Sequence, residues 1–251
     1  MNIQQMKIGQ RLVFGSYAPG SLPPAKIRWL KADRDCKFIS ENVLDNMIIN
    51  PVASGVNDRG QRQPYYDSCL SKFLNSDAEV FDAPLKPSRY NRRFDQDGYS
   101  GFLYGFEESE IEAMVPMPTV IDGEEREYLV RVPLNTEIYG GDASLRLFKR
   151  KGKRARLINY DYYSEPVTYE YFCPFLLAQK DYGCRAVNAM GYEERYYYNQ
   201  IIGVRPVIQL RPDTELEEDP NTGIFMFKSA GASKMQIPET ESLFSFYFGL
   251  A

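Results

Sequence analysis

The chain carries its clearest strand at Ile202-Gly203-Val204-Arg205-Pro206-Val207-Ile208-Gln209-Leu210. Ile202, Val204, Pro206, Ile208 and Leu210 recur with period two. That spacing puts them on one face of an extended segment and buries that face. Pro206 has no N–H to give to a ladder, so the strand is expected at a sheet edge or bulged at that residue. Arg205 falls on the opposite face beside Gly203 and Val207. A guanidinium between small apolar neighbours is expected to find a carboxylate or carbonyls, and so to tie this strand to a loop.

The same period governs the N-terminal region. Ile27-Arg28-Trp29-Leu30-Lys31-Ala32 and Cys36-Lys37-Phe38-Ile39-Ser40 flank Asp33-Arg34-Asp35, the pattern of a β-hairpin. Leu12-Val13-Phe14 precedes it as a further strand, and Tyr128-Leu129-Val130-Arg131-Val132 follows later as another. Trp29, the only tryptophan, is expected to be buried with the Ile202/Val204/Ile208 face.

Helix signals are fewer. Asp67 or Ser68 can cap a helix carrying Leu70, Phe73 and Leu74, stopped near Asn75. A second is expected over 107–114, with acids in its first turn, Ile111 and Met114 on one face, and Pro116 beyond its end. Pro133 can open a short third helix toward Tyr139. The Gly-, Pro- and Arg-rich stretch from Ala83 to Gly105 reads as a long surface excursion.

Composition bounds the chemistry. The 251 residues suffice for one sizeable core without staples. Thirty basic against thirty-four acidic side chains give a net charge of −4, which argues against a surface devoted to nucleic acid. Histidine is absent, which excludes Ser-His-Asp and Cys-His hydrolases and His-ligated zinc or haem. Cys36, Cys69, Cys173 and Cys184 have no metal-ligand spacing and are expected as reduced thiols with no metal or other cofactor. Arg93-Phe94-Asp95-Gln96-Asp97-Gly98 lacks the oxygen ligands of a calcium loop at both ends and reads as a turn. No run of apolar residues is long enough for a membrane span, and the N-terminus has no signal-peptide pattern.

Tyrosine is abundant, with nineteen in the chain. The densest cluster falls in the segment from Arg185 to Asn199. There Tyr192, Tyr196, Tyr197 and Tyr198 mix with Arg185, Arg195, Asn188 and Asn199, a combination of rigid aromatic area and adaptable polar groups suited to recognition. Tyr196 and Tyr198 are expected to point the same way and to face a partner protein or glycan. The tail is aromatic as well: Phe244, Phe246, Tyr247 and Phe248 lie within five residues and are expected to pack on a neighbouring subunit or on the domain's own sheet. The basic run over 149–156 offers an alternative use, salt-dependent nucleic-acid binding, which the net negative charge disfavours.

Five pieces in order carry a resemblance. The closing Gly203-Val204-Arg205-Pro206 stretch resembles the GVRPALWL signature of a domain family of unknown function common in gut Firmicutes and their phages. Phe14-Gly15-Ser16-Tyr17, Ile27-Arg28-Trp29-Leu30, Leu70-Ser71-Lys72-Phe73-Leu74-Asn75 and Phe106-Glu107-Glu108-Ser109-Glu110-Ile111 resemble its earlier motifs. That family is similar to C-type-lectin-like domains. The resemblance implies an α+β, C-type-lectin-like fold of mostly short antiparallel strands with two or three short helices. It would occupy residues 1–211 with an insertion at 76–105, and residues 212–251 would form a C-terminal extension. It further implies a non-enzymatic binding or structural module, a phage or prophage virion component with receptor-binding, decoration or tail-associated duty, made in the host cytoplasm. Its partners would be other virion or assembly proteins, or a host surface protein or glycan, and it would form an oligomer. The same fold hosts formylglycine-generating oxidases, the enzymatic alternative. That activity would need a copper-binding cysteine pair, and Cys173 and Cys184 are the nearest two.

Overall fold

The computed structural model describes residues 1–18, 24–47, 65–81, 100–121, 124–134, 157–160, 166–169, 175–177, 184–187, 193–196 and 202–228; the strands between 157 and 196 are described by backbone and register. The architecture is mixed α/β and strand-rich, with few helices.

The first sheet has seven strands. β1 (Arg11–Tyr17), β2 (Ala25–Lys31) and β3 (Lys37–Ser40) form a consecutive antiparallel meander. In chain order there follow β4 (Asp45–Met47), β5 (Met117–Ile121), β6 (Glu124–Tyr128), β7 (Val130–Arg131), β8 (Leu157–Tyr160), β9 (Pro166–Tyr169), β10 (Phe175–Leu177), β11 (Cys184–Val187), β12 (Glu193–Tyr196), β13 (Ile202–Val204), β14 (Val207–Gln209), β15 (Leu216–Glu218) and β16 (Phe225–Phe227). The order in the first sheet is β15-β16-β1-β2-β3-β14-β7. A second sheet runs β12-β11-β10-β13-β4, and β5–β6 and β8–β9 form two-stranded ribbons.

The hairpin over 27–40 is present, and Trp29 is fully buried with its indole N–H donated to Phe14 O at 2.7 Å. β1 carries one extra residue between Val13 and Ser16, a bulge built on Gly15 at φ 67°. A side chain at Gly15 would run into the Phe106 ring, so only glycine lets that ring lie against the strand. The Gly15 N–H, turned out of the ladder by the bulge, is taken by the buried Glu110 carboxylate at 2.8 Å.

Both expected helices form. α1 (Cys69–Leu74) is capped by Ser68, whose hydroxyl accepts from Ser71 N, and buries Leu70, Phe73 and Leu74. Its C-cap Asn75 accepts from Leu129 N and Val130 N and donates to Val130 O, stitching the helix end to β7. α2 (Glu108–Glu112) follows the Glu107 cap and leaves Met114 in the core. The expected third helix after Pro133 lies outside the described residues.

Three expectations are corrected. The strand over 128–132 is two strands, β6 and β7, in different sheets. The excursion ends earlier than Gly105: Gly101 N bonds Ala78 O and Leu103 N bonds Ser76 O, and Phe102 and Leu103 are core residues. Apolar side chains draw the chain back once the polar stretch is passed. Residues 215–228, placed in a C-terminal extension by the sequence, belong to the main sheet. β16 lies parallel to β1 with Leu12 opposite Phe225, and Leu216 and Phe225 are buried in the common core. The N-terminal Met1 N donates to Leu216 O, so the start of the chain is tied to the same ladder.

Candidate functional site

The closing stretch is where the two sheets join. β14 pairs with β3, and three residues earlier β13 pairs with β4, both antiparallel. The two paired segments thus pass together from one sheet to the other, turning at 41–44 on one side and at Arg205–Pro206 on the other. The single strand expected over 202–210 is therefore two. The missing N–H of Pro206 falls at the turn, and β14 is an internal strand between β3 and β7 rather than an edge. Burial is two-sided: Val204, Ile208 and Leu210 are in the core with Trp29, and Arg205, Pro206 and Val207 are buried as well. The side chain of Ile202 lies outside the described part.

Arg205 pins this joint. Its Nη2 and Nε donate to Ser40 O at 2.7 and 3.1 Å, with Glu41 O at 3.5 Å. Pro206 O in turn accepts from Ser40 N at 3.0 Å. Burial lowers the Arg205 pKa to about 10, opposed by the Glu41 charge, so the side chain is a cation at neutral pH. The structural role expected from sequence is the one the contacts give: the guanidinium binds carbonyls of the β3–β4 turn.

The tyrosine-rich segment is carried by the second sheet. β11 and β12 form a hairpin with Cys184 opposite Tyr196, Arg185 opposite Arg195 and Val187 opposite Glu193. Among the described strands β12 has β11 as its only neighbour and ends that sheet. Arg185, Arg195 and Tyr196 are thus on adjacent strands at a sheet edge. Asn188, Tyr192, Tyr197, Tyr198 and Asn199 lie outside the described residues, as do Phe244, Phe246, Tyr247 and Phe248 of the tail and the basic run over 149–156.

Two thiols, Cys36 and Cys69, are described with their side chains. Cys36 and Cys69 form no disulfide, and burial pushes both pKa values up, against the nearby charges of Lys31 and Lys72 respectively. Cys173 lies outside the described residues. Among the described residues no group of three or more Cys, Asp or Glu side chains is placed to hold a metal.

One feature escaped the sequence. Cys36 closes the β2–β3 turn at φ 62°, the only left-handed non-glycine residue described. The last position of such a hairpin loop is normally glycine, and a side chain there costs about 1 kcal/mol or more. The Asp33 carboxylate holds the turn by accepting from Lys37 N at 2.9 Å, and burial raises its pKa. Asp-Arg-Asp-Cys with no glycine was the available signal.

No protein-family model, curated protein or solved structure matches this chain.

Proposed function

We propose that this chain is a non-enzymatic binding or structural module of C-type-lectin-like fold, serving as a component of a phage or prophage virion. The observation that carries the reading is the position of the β11–β12 hairpin. It brings Arg185, Arg195 and Tyr196 to the outer edge of the second sheet, with Tyr197 and Tyr198 next in the chain. Clustered Tyr and Arg at a sheet edge are the residue types that dominate interface energetics. The five ordered sequence pieces described above support the same fold. Recognition is therefore assigned to residues 185–199, with the aromatic tail as an assembly element. Among the described residues no helix is long and apolar enough to cross a membrane.

The test is a glycan array probed with the full chain and with a Tyr196→Ala/Tyr198→Ala variant. The variant is expected to keep the near-ultraviolet circular dichroism of the parent and to lose the parent's array signal. A variant that unfolds would instead make both rings part of the core and move the search for the binding site to the 76–105 region.

A further inference from the structure

The first sheet has both of its edges taken up by other parts of the chain. On β15, Leu216 N donates to Met1 O at 2.7 Å and Met1 N donates to Leu216 O at 3.1 Å. On β7, Val130 N donates to Asn75 Oδ1 and Val130 O accepts from Asn75 Nδ2. The second sheet ends differently. Among the described strands β12 pairs with β11 alone. A strand so placed offers a row of backbone donors and acceptors to a further strand.

The charges along β12 select what that further strand is. Its sequence is Glu193-Glu194-Arg195-Tyr196. In the hairpin Arg195 lies opposite Arg185, and Glu193 lies opposite Val187. Residues directly opposite share a face, so Arg185 and Arg195 are like-charged neighbours, an arrangement that costs stability. A carboxylate on the outer side of Arg195 would offset that cost, and a second copy supplies one. A strand lying antiparallel to its own copy in one sheet is related to it by a two-fold axis normal to the sheet. Such an axis preserves faces, so Glu193 and Arg195 can meet each other but neither can meet Glu194. Centred on Glu194, the axis sets Glu193 opposite Arg195 of the second copy, and Arg195 opposite Glu193 of the second copy. Centred on Glu193, Arg195 or Tyr196, it forms no pair of opposite charge. The chosen register has one cost, since Glu194 then faces its own copy on the other face. Two opposite-charge pairs stand against that one like pair.

From the free edge of β12, the like-charged Arg185–Arg195 pair and the single two-fold register that answers it, we infer that β12 pairs antiparallel with β12 of a second copy of this chain. Two five-stranded sheets thereby become one of ten strands, with the two Tyr–Arg hairpins side by side at its centre. The inference rests on the reading of residues 185–199 as a recognition edge, and names one partner for it.

Sedimentation velocity of the full chain tests the pairing, with circular dichroism measured on every variant. Four paired residues a side make a small interface, so the parent should associate weakly, with a Kd of about 10 μM to 1 mM. Arg195→Glu makes both opposite-charge pairs like-charged while relieving Arg185 within the chain. It should weaken association about tenfold or more with an unchanged or raised Tm, which loss of the fold would not do. Glu193→Arg should weaken it similarly, and the exchange Glu193→Arg/Arg195→Glu should restore it. Glu194→Gln removes the like pair at the axis and should tighten association, which keeps the test open should charge reversal unfold the hairpin. A parent that sediments as one chain up to about 1 mM, folded single variants that associate as the parent does, a folded exchange variant without recovery, or a Glu194→Gln variant no tighter than the parent would each overturn the pairing. A glycan-array signal from a chain that does not associate would sink the pairing and keep the recognition reading. Association in this charge pattern without any array signal would do the reverse.

Discussion

The two sheets are built from opposite kinds of contact. In the first, segments far apart in sequence meet: β1 lies against β16, with Leu12 opposite Phe225, and the β1–β3 meander is completed on its other side by β14. In the second, β10, β11 and β12 succeed one another as a local meander, attached through β13 and β4. Closing the first sheet requires pairing across almost the whole sequence, so its loss removes the core. The outer strands of the second sheet depend mainly on their neighbours in sequence, so their surface can vary while the core persists. Stability is thus expected to reside in the first sheet and recognition in the second.

The largest effect that would break this contrast is a truncation. Ending the chain after Arg211 removes β15 and β16, takes Leu216 and Phe225 from the core and uncovers the edge of β1. That chain should fail to fold, whereas one ending after Lys228 should keep the parent's circular dichroism and buried Trp29 emission. A folded 1–211 chain would restore residues 212–251 as a mere extension.

Next comes Val204→Asp, at 2% exposure in the core cluster beside the joint. An unpaired carboxylate there should cost about 3 kcal/mol or more, read from denaturant unfolding followed by Trp29 fluorescence. A near-parental midpoint would place Val204 in water and shift the register of β13.

Arg205 measures how firmly the two sheets are joined. Arg205→Ala leaves the buried Ser40 carbonyl without its guanidinium and should cost about 2–3 kcal/mol, with Arg205→Lys recovering part of it. The pH sign follows from its lowered pKa. Above the folded value of about 10 and up to the higher ordinary value of a guanidinium, the unfolded chain holds more protons, so the cost of burying this cation is relieved as pH rises through that window.

Tyr65 titrates in the opposite sense. Its hydroxyl accepts from Val132 N at 3.2 Å, and burial raises the phenol pKa above its ordinary value of 10. Its contribution is complete below pH 10 and is lost as pH climbs beyond it. Tyr65→Phe should cost about 1–2 kcal/mol at neutral pH, by leaving the Val132 N–H without its acceptor, and should flatten the alkaline loss of stability. Equal slopes above pH 10 in parent and variant would mean that this phenol ionises in water.

Local signals made much of the first sheet legible. The 27–40 hairpin, the Ser68-capped helix, the buried Trp29 and the carbonyl-seeking Arg205 follow from residues within a few positions of one another. What the sequence hid were the changes of partner. Apolar alternation runs unbroken through Pro206, so nothing local distinguishes one strand from two strands in different sheets. The parallel pairing of β1 with β16 joins Leu12 to Phe225, beyond the reach of any window reading, and residues 212–251 read as an extension because the acidic Glu217 and Glu218 lie exposed on β15, with only Leu216 of that strand buried. For the candidate site, residue types named the hairpin, but its place at a sheet edge came only from the register.

Sedimentation equilibrium of the full chain tests most directly whether it works as an assembly component. A concentration-dependent mass above that of one chain is expected, reduced by deleting residues 240–251 with the fold retained. A single-chain mass at every concentration, unchanged by that deletion, would contradict it.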